Sequence, residues 1–129
     1  MIWQAVTSRA DGIGRILTAL VALGALYAFG SAAAALGGMP ADRVWIELWR
    51  TAGFLMFGGF FLLLTLRPRA SAGIWELTFL HKAIMAIGAL LLGGAPEAAS
   101  AGTVDAILCV LLALAYWLTK AWHGWRRSA

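Results

Sequence analysis

Among the side chains able to carry charge or move a proton inside long apolar runs are Glu47, Arg50, His81, Lys82, Asp105 and Tyr116. In a hydrocarbon setting such groups are costly unless paired or watered, so their depths carry the most information. Glu47 and Arg50 are three residues apart and share one helix face. At about 1.5 Å per residue, Arg50 lies roughly 9 Å below its nearer boundary and Asp105 about 4–5 Å below the same one. The spacing predicts an intramembrane ion pair drawn from Glu47, Arg50 and Asp105. An Arg50–Asp105 bridge would be an interhelical clamp, or an outer gate or ligand site.

Lys82 is placed about 12 Å from the opposite boundary, close to mid-depth, where no acid of this chain is expected. Glu76, six residues away, is about 240° around the same helix. Lys82 is thus expected to snorkel, to meet a backbone carbonyl, or to have an external partner. An anionic headgroup, a quinone carbonyl or an acid of another subunit would serve. Tyr116, about 9 Å from the same boundary, is at a depth similar to that of His81, which predicts a Tyr116–His81 hydrogen bond or a shared ligand. His81, Lys82 and Tyr116 are therefore the candidate ligand- or partner-binding residues. Asp105, Cys109, Tyr116 and Lys120 form one helical stripe that should face the bundle or a partner. Arg15, Glu76 and Lys120 lie close enough to a boundary to act as helix-end anchors.

Other chemistries lack their residues. One cysteine excludes a disulfide framework, a CxxC pair and a four-Cys zinc site. A haem between two histidines would need a second one at the depth of His81, and His123 is near the C-terminus. No Ser–His–Asp spacing, P-loop or dinucleotide fingerprint occurs. Glu47 and Glu76 are predicted at opposite faces, too far apart for joint acid–base work. No catalytic set, metal or cofactor is expected.

The elements that position these residues are read from composition and punctuation. The 129 residues are 62% hydrophobic and only 12% charged, about half the charged fraction of a soluble domain. Mean hydropathy is +0.83. A disordered chain, a nucleic-acid tail and an ordinary soluble enzyme are thereby excluded. Four runs reach the length of about 20 apolar residues that a spanning helix needs: 13–36, 44–66, 74–92 and 102–122. Gly37-Gly38-Met39-Pro40, Arg67-Pro68-Arg69 and Gly93-Gly94-Ala95-Pro96 separate them. The first run has signal-peptide features, but its apolar stretch exceeds a usual signal core, so it is read as a retained span. The expected fold is all-α: one integral membrane four-helix domain over residues 1–129, with short loops.

Arg9, Arg15, Arg67, Arg69, Lys120, Arg126 and Arg127 fall on one side, and only Arg43 on the other. The positive-inside rule then places both termini in the cytoplasm and the chain in the cell's inner (plasma) membrane. The net charge of +4 is matched to anionic lipid rather than to nucleic acid. Trp3, Trp75, Trp117, Trp122 and Trp125 mark the cytoplasmic interface, and Trp45 and Trp49 the other. Gly24–Ala28–Ala32, together with Gly53, Gly58, Gly59, Ala86, Gly88 and Ala89, offers notches for close helix packing.

The basic start and Gly-interrupted apolar run of GRILTALVALGALYAFG, with four spans in all, resembles small bacterial proteins of the DoxX-like kind. That likeness is one of plan, and no functional residue is carried over from it. Small multidrug exporters are a poorer match, since they need balanced loop charge and an acid in the first span, which 13–36 lacks. The expected function is a non-catalytic accessory or assembly subunit of a larger membrane complex, with a protein partner or a second copy in the bilayer. The alternatives are a small oligomeric ion or solute transporter or channel, and a membrane-embedded enzyme acting on a lipid or quinone.

Overall fold

A computed structural model describes residues 3–126, so Arg127 of the basic set lies outside the described residues. The chain forms α1 (Arg9–Ala35), α2 (Val44–Leu66), α3 (Ile74–Leu91), α4 (Ala98–Thr119) and a short α5 (His123–Arg126). Single 3-10 turns follow α1 at Leu36–Gly38 and α2 at Pro68–Ala70, and no strand occurs among the described residues. The first four helices are long and apolar enough to cross a membrane.

Local chemistry sets their ends. Ser8 caps α1 from an extended conformation, its Oγ accepting the Asp11 N–H at 3.1 Å. This cap satisfies an orphan amide of the first turn. It starts the helix four residues earlier than the apolar run suggests. Pro68 stops α2, because its ring cannot continue a hydrogen-bonded turn. Gly73 precedes α3 at φ +86°, a conformation that a side chain would strain. Its N–H donates to Glu76 Oε2 at 2.8 Å, closing the first turn. α4 also starts four residues before its expected boundary, at Ala98. Lys120, in the left-handed region at φ 52°, ends it at Thr119 rather than at 122.

α1 packs along α2 and α4, and α3 packs along α4, whereas α2 and α3 touch only locally. The order around the bundle is therefore α2–α1–α4–α3, with a furrow on the α2/α3 side. The buried apolar core is small: Val21, Ala22, Phe61, Leu64, Trp75, Leu112, Ala115 and Ala121. Large apolar side chains such as Leu20, Leu23, Ile46, Leu90, Ile107 and Val110 point outward. That inversion costs free energy in water and none in hydrocarbon.

Gly58 and Ala89 of the expected notches lie at tight approaches, and Gly14 and Gly102 join them. A Cβ on Gly14 would meet Thr119 Cγ2 at 2.7 Å, one on Gly58 would meet Leu26, and one on Gly102 would collide with the Ala89 Cβ. Gly24, Gly53, Gly59 and Gly88 have open space instead. Trp75 also departs from the interfacial belt. It is 2% exposed, because its indole N–H donates to the Pro68 carbonyl at 2.8 Å inside the bundle.

Candidate functional site

The mid-depth residues form one cluster. Lys82 Nζ lies 3.1 Å from Asp105 Oδ1, with each side chain 12% exposed. The ammonium also sits 4.1 Å from the centre of the Phe57 ring. The His81 ring lies 4.6 Å from the same phenyl. Lys82 therefore has an acid of its own chain, contrary to expectation. The reason is the early start of α4: counted from Ala98, Asp105 is about 10.5 Å into the helix rather than 4–5 Å, within reach of a lysine on α3.

The same shift breaks the expected Arg50–Asp105 bridge. Arg50 reaches Glu97 at 2.7 Å, and its guanidinium is 3.9 Å from Glu47. Glu47 pairs more closely with Arg43, at 2.8 Å. Arg43, just ahead of α2, is pushed above its ordinary pKa chiefly by the hydrogen bond it donates to Glu47. The Arg50 stem carries its charge toward the loop that precedes α4, as snorkelling side chains do.

Tyr116 does not meet His81. Its hydroxyl donates to Glu76 Oε1 at 3.2 Å, and the Trp125 indole N–H donates to the same oxygen at 2.8 Å. Because α4 ends at Thr119, Tyr116 is about 4.5 Å from that end, while His81 is about 10.5 Å into α3. The stripe of Asp105 and Tyr116 thus faces α3, each residue meeting a different partner there. A cleft of about 450 Å³ opens beside Glu76 and Tyr116, lined further by Trp75, Phe79, Leu80, Leu112 and Ala113. A smaller one of about 170 Å³ lies between α2 and α3, against Phe57, Phe60, Ile74, Leu77 and Thr78.

One further cluster was not anticipated. Asp11, Arg15 and Arg69 are 1%, 4% and 8% exposed. Asp11 Oδ1 lies 2.8 Å from Arg69, and its Oδ2 lies 3.3 Å from Arg15. Arg69 also donates to Thr119 O at 3.0 Å, and both arginines donate to Ala5 O. Gln4 joins from the N-terminal segment: its N–H donates to Leu66 O, and its side chain accepts the Arg69 N–H. Arg15 reaches the last carbonyls of α2, at Thr65 and Leu66, where a helix end favours a cation. Arg15 is therefore a buried tie rather than a snorkelling anchor. Ser8-x-x-Asp11 and the Asp11/Arg15 spacing of four were the available signals. The acid absent from 13–36 is present in α1 once the helix starts at Arg9, though at its end.

Among the described residues no group of three His, Cys, Asp or Glu could hold a metal ion. Cys109 is a free, half-buried thiol. No family model, no curated protein and no solved structure matches the chain.

Proposed function

We propose that the chain is a non-catalytic integral protein of the inner (plasma) membrane, with both termini cytoplasmic, and that it serves as an accessory or assembly subunit of a larger membrane complex. One observation carries this reading. The mid-depth Lys82 and Asp105 and the helix-end Asp11, Arg15 and Arg69 pair internally, while Gly24, Gly53, Gly59 and Gly88 stay open on the helix surfaces. Internal pairing leaves little to do chemistry, and open small-residue notches are where another helix can approach. Native mass spectrometry of the chain, purified gently into nanodiscs, tests it. Stoichiometric foreign subunits support the reading, and a lone chain or pure homo-oligomer overturns it.

The Lys82–Asp105 pair beside the α2/α3 furrow favours a second reading, an ion or solute transporter completed by oligomerisation. It requires solute flux in proteoliposomes that Lys82→Met abolishes. Absence of flux from a homo-oligomeric preparation sinks it.

A further inference from the structure

We propose that the cleft between α3 and α4 binds an amphiphile with an ammonium head, the charge seated against Glu76 and the tail lying toward Leu80 and Leu112. The Glu76 carboxylate accepts from the Gly73 amide, the Trp125 indole and the Tyr116 hydroxyl, all neutral donors. Every ion pair among the described residues lies elsewhere. The positive end of the α3 dipole offsets about half an elementary charge. A net negative charge therefore remains in a largely apolar cleft.

The rings that line the cleft, Trp75, Phe79 and Tyr116, add to that preference. Those of Trp75 and Tyr116 lie 5.6 Å apart. Aromatic faces carry negative potential and attract ammonium groups. The same field repels an anionic head. The cleft is polar only at its Glu76/Tyr116 end, and Leu80 and Leu112 lie one helical turn deeper. Its volume of about 450 Å³ falls within the range of about 300–1,000 Å³ usual for ligand pockets. A head at one end and a chain along the other match this layout. The matching chemistry belongs equally to a lipid with an amine-bearing headgroup and to a free lipophilic amine.

The test uses the full chain in nanodiscs of an uncharged galactolipid, with hexyltrimethylammonium as probe in equilibrium dialysis against empty discs. The chain is expected to bind one probe, and hexyl sulfate is not expected to bind. Glu76→Gln keeps an acceptor for the Gly73 cap but removes the charge, and should weaken probe binding at least tenfold. Ala113→Phe leaves the carboxylate and its donors in place, fills the cleft and should abolish binding, so the result does not depend on one variant folding. Displacement of the probe by added phosphatidylethanolamine identifies a lipid occupant, and no displacement identifies a free amine. Unchanged binding by both variants, no probe bound by the native chain, or equal binding of hexyl sulfate overturns the proposal. None of these readouts bears on whether foreign subunits co-purify, so the accessory-subunit reading stands or falls separately.

Discussion

At Asp11 a single carboxylate bridges two buried guanidinium groups. Removing one partner of a buried ion pair leaves an uncompensated charge, which costs about 3–5 kcal/mol. Asp11→Asn is therefore expected to destabilise the detergent-solubilised chain by about that amount, read as a loss of helical signal at lower temperature or denaturant. An unchanged transition would remove the cluster from any structural role. Lys82 and Asp105 give a second test. Lys82→Met and Asp105→Leu singly should each be costly, and the double variant should recover much of the loss. The expected coupling is about 0.5–3 kcal/mol. Purely additive losses would mean that the two groups do not interact. Lys82 stood out in the sequence because a charge inside an apolar run is conspicuous. Its partner was not legible, because the depth of Asp105 depends on where α4 begins. Four residues of error are about 6 Å, enough to exchange one partner for another. The Asp11 cluster was hidden for a similar reason. Asp11 and Arg15 are one helical turn apart, but Arg69 is brought to them only by the fold.

Helix ends were the less legible part of each element, and helix interiors the more legible. The start of α2 and its end at Leu66 coincide with the expected boundaries, because Pro40 and Pro68 punctuate them. α1 and α4 begin earlier, since Ser8 and the left-handed Glu97 precede them outside the apolar runs. Packing notches were legible as glycines but not as contacts, because a helix that is apolar all round carries no stripe to say which face is inward. This separates two kinds of glycine by experiment. Gly102→Ala presses a methyl against Ala89 and should cost about 1–3 kcal/mol by overpacking. Gly24→Ala, in open space, should be neutral or stabilising by up to about 1 kcal/mol. Paired thermal melts in the same detergent decide it, and equal losses at both sites would contradict the close α3–α4 approach.

For the whole molecule, four long apolar helices were readable from composition and length alone, whereas their arrangement was not. Short loops suggest that sequential neighbours pack together, yet α2 and α3 share little contact despite a short connection. Bundle order is set by which side chains interlock, and Trp75, Phe61 and Leu112 show their partners only in three dimensions. The proposed orientation makes a direct prediction. In a Cys109→Ser background, Arg126→Cys should resist a membrane-impermeant maleimide in intact cells and react after lysis. Asp42→Cys should react in both. The reverse pattern would invert the topology.

Arg69 is bonded to Asp11 near the start of the chain and to the carbonyl of Thr119 at the end of the last long helix. The knot therefore cannot close until residue 119 has left the ribosome. A nascent chain stopped in the loop before α4 holds two guanidinium groups and a carboxylate with an incomplete set of partners. The arrival of α4 is thereby recorded in the fold itself, as burial of charge. Chains halted at residue 96 should be cleaved by membrane proteases within a time in which the full chain survives, and equal lifetimes in a pulse-chase would show that the record is not read.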